Sequence, residues 1–458
     1  MAIGNLLYKS VYWKTAQLIS SFIVTVIYAR ILRSAVTGEF YSLVYLLSLC
    51  TSLFTFGLDI GLNYYLSRRE ITTAFAVRII GILVLLALPA GLSFLWWYDQ
   101  PARFPGIGLH QLLLFSACQI AGVLMTVLAG TIFTAYGQNY RPAQWGVFIN
   151  GATAVLSVVS AALLPGHRAV VALFFIYFGF SLIQGLVLLI AAIRLNAKAP
   201  VADDGVVDLA NTVRQGAPVG IRDILRFSSG AFVTNFIFFV GARMGLYLLP
   251  YYATSANQGN YIQAYKLVEY AGLIAGFIYY PFITLVARDQ AGQITEKVLL
   301  LVRLSNTAVL LFSLGVLATG WYLFPVIFGP SFNSMYNIFI GFIPGLFAAC
   351  SSTFFTAYYF GIGHFRINLI SASIQLISAV ALFFLFTRAW GIHGTALAFS
   401  MAALLSMVYD CWMFRRYAGY TLKDLLLAGR SDWTRLERAI RSGLTPIVQR
   451  RTRRQKNN

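Results

Sequence analysis

Negative charge is what this chain has least of. Its 458 residues hold 15 Asp and Glu against 34 Lys and Arg, and the four types together make up 11% of the sequence, where a soluble protein carries about 25%. Cysteine and histidine each occur four times. Cys50, Cys118, Cys350 and Cys411 lie far apart in apolar runs with no CxxC pair, so they read as small core side chains and leave no disulfide frame or thiolate metal site. His110, His167, His364 and His393 are as widely scattered, and neither a metal ion nor a cofactor is expected. No GxxxxGK[ST] loop occurs, so nothing supports direct drive by ATP. The outer loops are short and none holds a cluster of His, Asp or Glu. That weighs against an acid/base enzyme such as a membrane glycan polymerase or acyltransferase.

What fills the chain is apolar: 59% of residues, with aromatics at 16%. A membrane crossing takes about 20 apolar residues as helix. Twelve such runs can be marked, at about 11–32, 40–64, 76–98, 110–134, 143–164, 169–193, 219–245, 261–286, 298–320, 336–360, 367–387 and 393–414. The first is too long for a signal peptide. The expected fold class is therefore an all-α polytopic membrane protein of about twelve transmembrane helices. With the N-terminus in the cytoplasm, the inner loops hold Arg68, Arg69, Arg141, Arg194, Lys198, Arg214, Arg288, Lys297 and Arg366, and the outer ones only Arg33, Arg103, Arg168 and Arg388. The positive-inside rule then puts both termini in the cytoplasm.

The longest polar interruption divides six helices from six. The expected organisation is an N-lobe over 1–193, a cytoplasmic linker over 194–217 that holds a short surface helix at 208–216, and a C-lobe over 218–414. A basic tail follows over 415–458. An internal repeat supports two lobes. Gly38-Glu-Phe-Tyr41 opens the second helix and Gly259-Asn-Tyr261 the eighth, 221 residues on. Tyr136-Gly-Gln-Asn-Tyr-Arg141 is echoed by Gly361-Ile-Gly-His-Phe-Arg366, which places Arg366 opposite Arg141 at an offset of 225. An even number of helices per half makes the repeat parallel, related by a pseudo-twofold along the membrane normal, with substrate sites between the halves. The tail holds twelve Lys and Arg against three Asp and Glu. Ser431 caps an amphipathic stretch with Trp433, Leu436 and Ile440 on one face, suited to anionic lipid. Tethering to a membrane argues against nucleic acid as its partner.

The seventh and eighth runs carry Arg222, Asp223, Arg226, Arg243, Lys266 and Glu269. Each charge at a helix centre costs about 2.5–3.5 kcal/mol even on the lenient insertion scale, so such groups face protein or a water-filled cavity. Arg222 and Arg226, four apart, project from one face and suit a shared diphosphate. Snorkelling to the interface, pairing of Asp223 with either arginine, and a closed Lys266–Glu269 ion pair are the structural alternatives. Asp410 is expected to pair with Arg415 or Arg416. Pro89, Pro281 and Pro344 are candidate bend points, and Tyr261 and Tyr265 candidate stacking surfaces for sugars.

Several stretches together carry a resemblance. They are Ala29-Arg30-x7-Gly38-x-Phe40-Tyr41, Ala264-Tyr265-Lys266-Leu267-x-Glu269 with Pro281 beyond, Phe328-Gly329-Pro330-Ser331-Phe332, Ile343-Pro344-Gly345 and Gly391-Ile-His-Gly-Thr-Ala-Leu-Ala398. In order and spacing, over about residues 5–418, the chain resembles the polysaccharide transporter family. This is the O-antigen-flippase-like branch of the multidrug/oligosaccharidyl-lipid/polysaccharide exporter superfamily. The resemblance implies a two-lobed flippase of the bacterial inner membrane that moves undecaprenyl-diphosphate-linked oligosaccharide by alternating access, with a glycan polymerase and other assembly proteins as partners. In similar lipid-linked flippases, helices 1, 2, 7 and 8 line the cavity. That points to Lys14, Arg30, Arg222, Arg226, Arg243 and Lys266 as substrate-binding, and to Asp59 and Glu269 as coupling or charge-balancing groups. A multidrug exporter of the same superfamily is the alternative; it needs carboxylates for cationic drugs, and Asp59 and Glu269 are the ones at hand.

Overall fold

The computed structural model describes residues 2–97, 108–195, 220–288 and 294–418, together with Gly429 and Thr434. Apolar side chains must face lipid, so each segment satisfies its backbone internally as helix, and no strand occurs among the described residues. The helix Ala2–Thr55 is two spans that meet at Arg33, whose φ of 57° and ψ of 175° break the ladder. We call them α1 (2–32) and α2 (34–67); α2 is broken again at Phe56 and Gly57, both at positive φ, before Leu58–Ser67. There follow α3 (Thr73–Trp97), α4 (Leu109–Ala135), α5 (Tyr140–Leu163), α6 (His167–Ile193), α7 (Ile221–Leu248), α8 (Ser255–Arg288), α9 (Ile294–Phe328) and α10 (Met335–Gly361). Phe365–Ala418 is likewise two spans, α11 (365–390) and α12 (392–418), parted at Gly391 with φ 58°.

Nine stretches among the described residues are long and apolar enough to cross a membrane. Lys9–Thr55 and Phe365–Tyr417 each hold two spans. The twelfth span is α8, whose stretch 270–287 is apolar in sequence and free of charged residues. The protein is thus an all-α, multi-pass membrane protein. Both ends of the helical bundle, the start of α1 and the end of α12, lie on one side, called here the terminal face; the opposite side is the far face. Helices α3 and α10 continue through Pro89 and Pro344. Among the described residues the helical backbone of the merged spans breaks at Arg33, Phe56–Gly57 and Gly391. The segments expected to form the surface helix at 208–216 and the amphipathic tail helix lie outside the described residues.

The repeat is visible bond by bond. In the α4–α5 turn, Tyr136 N–H donates to Ile132 O at 3.2 Å, Gly137 to Thr134 O at 3.0 Å, Gln138 to Phe133 O at 2.8 Å and Arg141 to Gln138 O at 3.0 Å. In the α10–α11 turn, Ile362 donates to Tyr358 O at 3.0 Å, Gly363 to Phe360 O at 3.2 Å, His364 to Tyr359 O at 2.9 Å and Ile367 to His364 O at 3.1 Å. The glycines share a left-handed φ, 69° at Gly137 and 78° at Gly363. The equivalent of Arg141 is therefore Ile367 rather than Arg366, one residue later than the sequence comparison placed it.

Packing differs between the two faces. Toward the far face one apolar core runs through both halves, from Tyr28, Phe40, Phe115 and Phe178 to Tyr261, Phe342 and Phe399. Toward the terminal face there are two cores. Leu62, Ile80, Leu128 and Leu188 belong to one, and Val298, Val302, Phe355 and Phe414 to the other. The halves share one core on the far side; on the terminal side each keeps its own, and Ile224 of α7 enters that of the N-terminal half.

Candidate functional site in the seam between the halves

The α1–α2 hairpin meets α8 at the far side of the seam, and two glycines allow it. A Cβ on Gly38 would strike Ser255 O, and one on Gly259 would strike Ser34 O. Both pairs are related by the 221-residue repeat, so the crossing is reciprocal about the pseudo-twofold. Close approach of backbones at small residues is the usual means of holding helices in lipid. Further down, α2 crosses α7 at Gly57 and Gly61, which abut Ser228, Phe232 and Ile224, and Tyr64 stacks on Phe227 at 4.5 Å.

Between these crossings lies a charged group. Lys266, Glu269 and Tyr270 are three and four residues apart and share the face of α8 turned to α1 and α2. Glu269 accepts from Arg243 of α7 (Nη2 to Oε1, 2.6 Å) and from the Tyr45 hydroxyl of α2 (to Oε2, 2.7 Å). Arg243 also lies over the Phe239 ring at 4.2 Å. Tyr270 shares a 2.8 Å hydrogen bond with Thr25 of α1. Glu269 is therefore committed to Arg243, and the ion pair with Lys266 that their spacing allows is not formed. Lys266 lies over the Tyr41 ring, with Nζ 3.1 Å from its centroid. Its ammonium has no carboxylate partner and no hydrogen bond among the described residues. One turn toward the far face, Gln263 is wholly buried with neither amide atom hydrogen-bonded to a described residue.

The other expected site residues fall elsewhere. Arg222 and Arg226 are exposed at the terminal end of α7 and line an open cavity of about 640 Å³ with Asp223 and Leu225. Asp223 pairs with neither arginine; its Oδ2 accepts the Gly220 N–H at 3.0 Å and caps the helix. At 1.5 Å per residue the two arginines sit about 25 Å (Arg226) and about 32 Å (Arg222) along α7 from Arg243, so the cations form two stations rather than one. Lys14 is half-buried on α1. Asp59 occupies the first turn after the α2 break, where free N–H groups favour an anion. Arg30 stands apart. Its guanidinium donates to Ile327 O at 2.8 Å and to Val326 O, satisfying carbonyls left open at the end of α9. It ties the halves together at the far face and lies outside the charged group. Tyr261 and Tyr265 are 1% and 3% exposed and pack on Phe342, so neither offers a face to a sugar. Tyr45 and Gln263 were not singled out by sequence, and Tyr41 stood out only as part of the repeat and family-like motif; helical spacing from Gly38 and Lys266 was the remaining signal.

No family model matches the chain, and no curated protein matches it. Solved structures do. A lipid II flippase, MurJ, in an inward-closed conformation aligns over 92% of this chain and 89% of its own, with TM-score 0.57 and 13% identity. An inward-facing multidrug resistance MATE family transporter of the MOP superfamily aligns over 87% and 95%, with TM-score 0.62 and 14% identity. A MOP superfamily transporter from Pyrococcus furiosus, described as having a binding pocket of reversed polarity, aligns over 91% and 97%, with TM-score 0.61 and 12% identity. The chain has the fold of the MOP-superfamily transporters. At these identities the likeness is one of fold, and substrate must be argued from the side chains.

Proposed function

We propose that the protein is an exporter of the lipid-linked-oligosaccharide flippase type. Its substrate is an undecaprenyl-diphosphate-linked oligosaccharide, carried across the bacterial inner membrane by alternating access for surface polysaccharide assembly. The observation that supports this most directly is Lys266, a cation in the seam whose one acidic neighbour is already taken by Arg243 and Tyr45. With Arg243 and Lys266 positive and Glu269 negative, the group carries one net positive charge and suits an anion. A diphosphate brings about two negative charges, and arginine forks and lysine point charges are its usual partners. With both termini in the cytoplasm, as the loop charges suggest, Arg222 and Arg226 form the first station, at the mouth of the terminal side. Lys266 and Arg243 then form the second, under the sealed far face. The basic tail attaches to anionic lipid, and a glycan polymerase receives the product.

The reading is tested in a deletion strain by mass spectrometry of undecaprenyl-linked oligosaccharides, with surface glycan and drug sensitivity measured alongside. Accumulation of full-length lipid-linked units with loss of surface glycan is expected. Normal glycan with new sensitivity to cationic drugs would replace it by a multidrug exporter, and unpolymerised surface glycan by an enzyme.

A further inference from the structure

Buried polar side chains without hydrogen-bond partners among the described residues gather where α2 crosses α8 at the far face. Thr37 and Gln263 are wholly buried, and neither Thr37 Oγ1 nor either amide atom of Gln263 is bonded. Asn260 is 3% exposed; its Nδ2 donates to Ala256 O at 2.9 Å and Ser331 O at 3.2 Å, and its Oδ1 is left unmet. Such atoms occur inside the halves too. Asp410 of α12 is buried without a partner, and it forms no ion pair with Arg415 or Arg416, the partners its sequence position suggested. The group at the crossing differs because it lies between the halves.

The pseudo-twofold relates each residue of α2 to the one 221 further on in α8. It exchanges the Gly38–Ser255 contact with the Gly259–Ser34 contact, and both are present. The same operation exchanges Ser42 with Gln263 and Thr37 with Gln258. One of the two pairs so related is made: Ser42 Oγ donates to Gln258 Oε1 at 3.3 Å, while Gln258 Nε2 donates to Ala253 O at 2.8 Å. Its counterpart, Thr37 with Gln263, has the same chemistry, a hydroxyl of α2 set against an amide of α8, yet it is not made. The crossing is closed by backbone contact at both glycines but by a hydrogen bond on one side only.

A buried donor or acceptor without a partner bears the full penalty of its lost hydration, and such groups in a native structure can act as a reservoir of strain. Thr37 lies one turn from the break at Arg33, so parting of the crossing wets it and Gln263 together and removes that penalty. We infer that Thr37 and Gln263 form an opening device, which holds the far-face seal short of full stability and leaves the closed crossing poised to part. The backbone contacts at Gly38 and Gly259 close the seal, and the unmet polar atoms beside them oppose closure. Gln263 stands one turn from Lys266 on α8, so these atoms lie next beyond the charged group toward the far face. The inference concerns the opening equilibrium of the empty protein and does not depend on what the seam carries.

The test is the rate at which a maleimide labels Ser34→Cys in the purified full-length protein without substrate, read against protein lacking that cysteine. This rate follows the population in which the far face is open. Thr37→Val keeps the side-chain shape and removes one unmet oxygen. It should slow labelling about tenfold, equivalent to about 1.4 kcal/mol, and raise Tm. Gln263→Met removes two unmet atoms at similar volume and should slow labelling further. Ser42→Ala removes the bond made at the related position and should speed labelling instead. Where Gln263→Met does not fold, the other two variants carry the comparison. Labelling of Thr37→Val at an unchanged or faster rate overturns the inference, because the hydroxyl and amide would then hold the crossing shut through a bridging water or a bond to each other. So does a Ser42→Ala variant that fails to speed labelling, since the two related positions would then not act with opposite sign.

Discussion

Replacing Lys266 by methionine should move stability and transport in opposite directions. An unpaired cation inside a membrane helix costs about 2.5–3.5 kcal/mol on the insertion scale, and the partial exposure of Lys266 argues for the lower end. Its contact with the Tyr41 ring, 3.1 Å from Nζ to centroid, returns about 0.5–2 kcal/mol. Methionine keeps most of the side-chain volume, so Lys266→Met should stabilise the protein without substrate by about 1 kcal/mol. A hydrogen bond to a charged group is worth about 1.5–3 kcal/mol. At 1.36 kcal/mol per decade, losing it should lower kcat/KM for flipping by roughly 10- to 150-fold. Lys266→Arg should be milder, because charge is kept while geometry changes. The assays are unfolding in detergent and transport of a lipid-linked substrate by reconstituted protein. A methionine variant that is less stable yet transports normally would refute the reasoning. Lys266 would then be a packing residue that holds α8 to α2.

Glu269→Gln should destabilise by about 1–3 kcal/mol, below the 3–5 kcal/mol of a fully buried pair, since both partners retain about a quarter of their side-chain exposure. Adding Arg243→Met should recover part of that loss in a double-mutant cycle, whereas additive losses would mean that the pair is not formed. Gly38→Val and Gly259→Val cannot be accommodated at the reciprocal crossing. Each should open the far face, read as faster labelling of a cysteine placed at Ser34, and unchanged labelling would show that the crossing is not the seal. Arg30→Lys should not restore what Arg30→Gln loses, about 1–3 kcal/mol for charge-assisted bonds to the α9 carbonyls, because one ammonium does not reproduce a fork; equal unfolding of the two variants and the unmodified protein would refute the clamp. Deletion of 430–458 should leave transport largely intact, and complete loss in a stably inserted truncation would count against a purely lipid-binding tail.

The spans were legible because lipid imposes one rule on every residue of a helix, and a run of twenty apolar residues is hard to misread. The repeat was legible at Gly38 and Gly259, where backbone contact admits no side chain and the residue type records the geometry. It slipped by one at Arg366 because a basic residue after a turn is common, while the hydrogen bonds that define the turn leave no such mark. Charge identity was readable, but charge pairing was not. Lys266 and Glu269 at i, i+3 are neighbours on any helical wheel, and only the approach of α7 and α2 diverts Glu269 to Arg243 and Tyr45. Arg30 was misplaced for the same reason. It lies on a cavity-lining helix in sequence, yet the end of α9, almost three hundred residues later, presents it with open carbonyls.

That diversion bears on which substrate the fold serves. MOP-type folds carry transporters for quite different molecules, and the neighbours found here include a lipid II flippase, multidrug transporters and a protein described as reversing its pocket polarity. The backbone is therefore neutral on the sign of the cargo, and a few side chains in the seam decide it. In this chain the single carboxylate of the group is neutralised within the protein, by an arginine at 2.6 Å and a phenol at 2.7 Å, and is unavailable to a cationic drug. The lysine one turn away is held over an aromatic face rather than an acid. On the proposed function, an anion would take it from that face without breaking an ion pair, so binding would have no competing salt bridge to displace. Specificity built this way would rest on both signs at once: the free cation would attract a phosphate, and the occupied Glu269 carboxylate would offer a cation no partner.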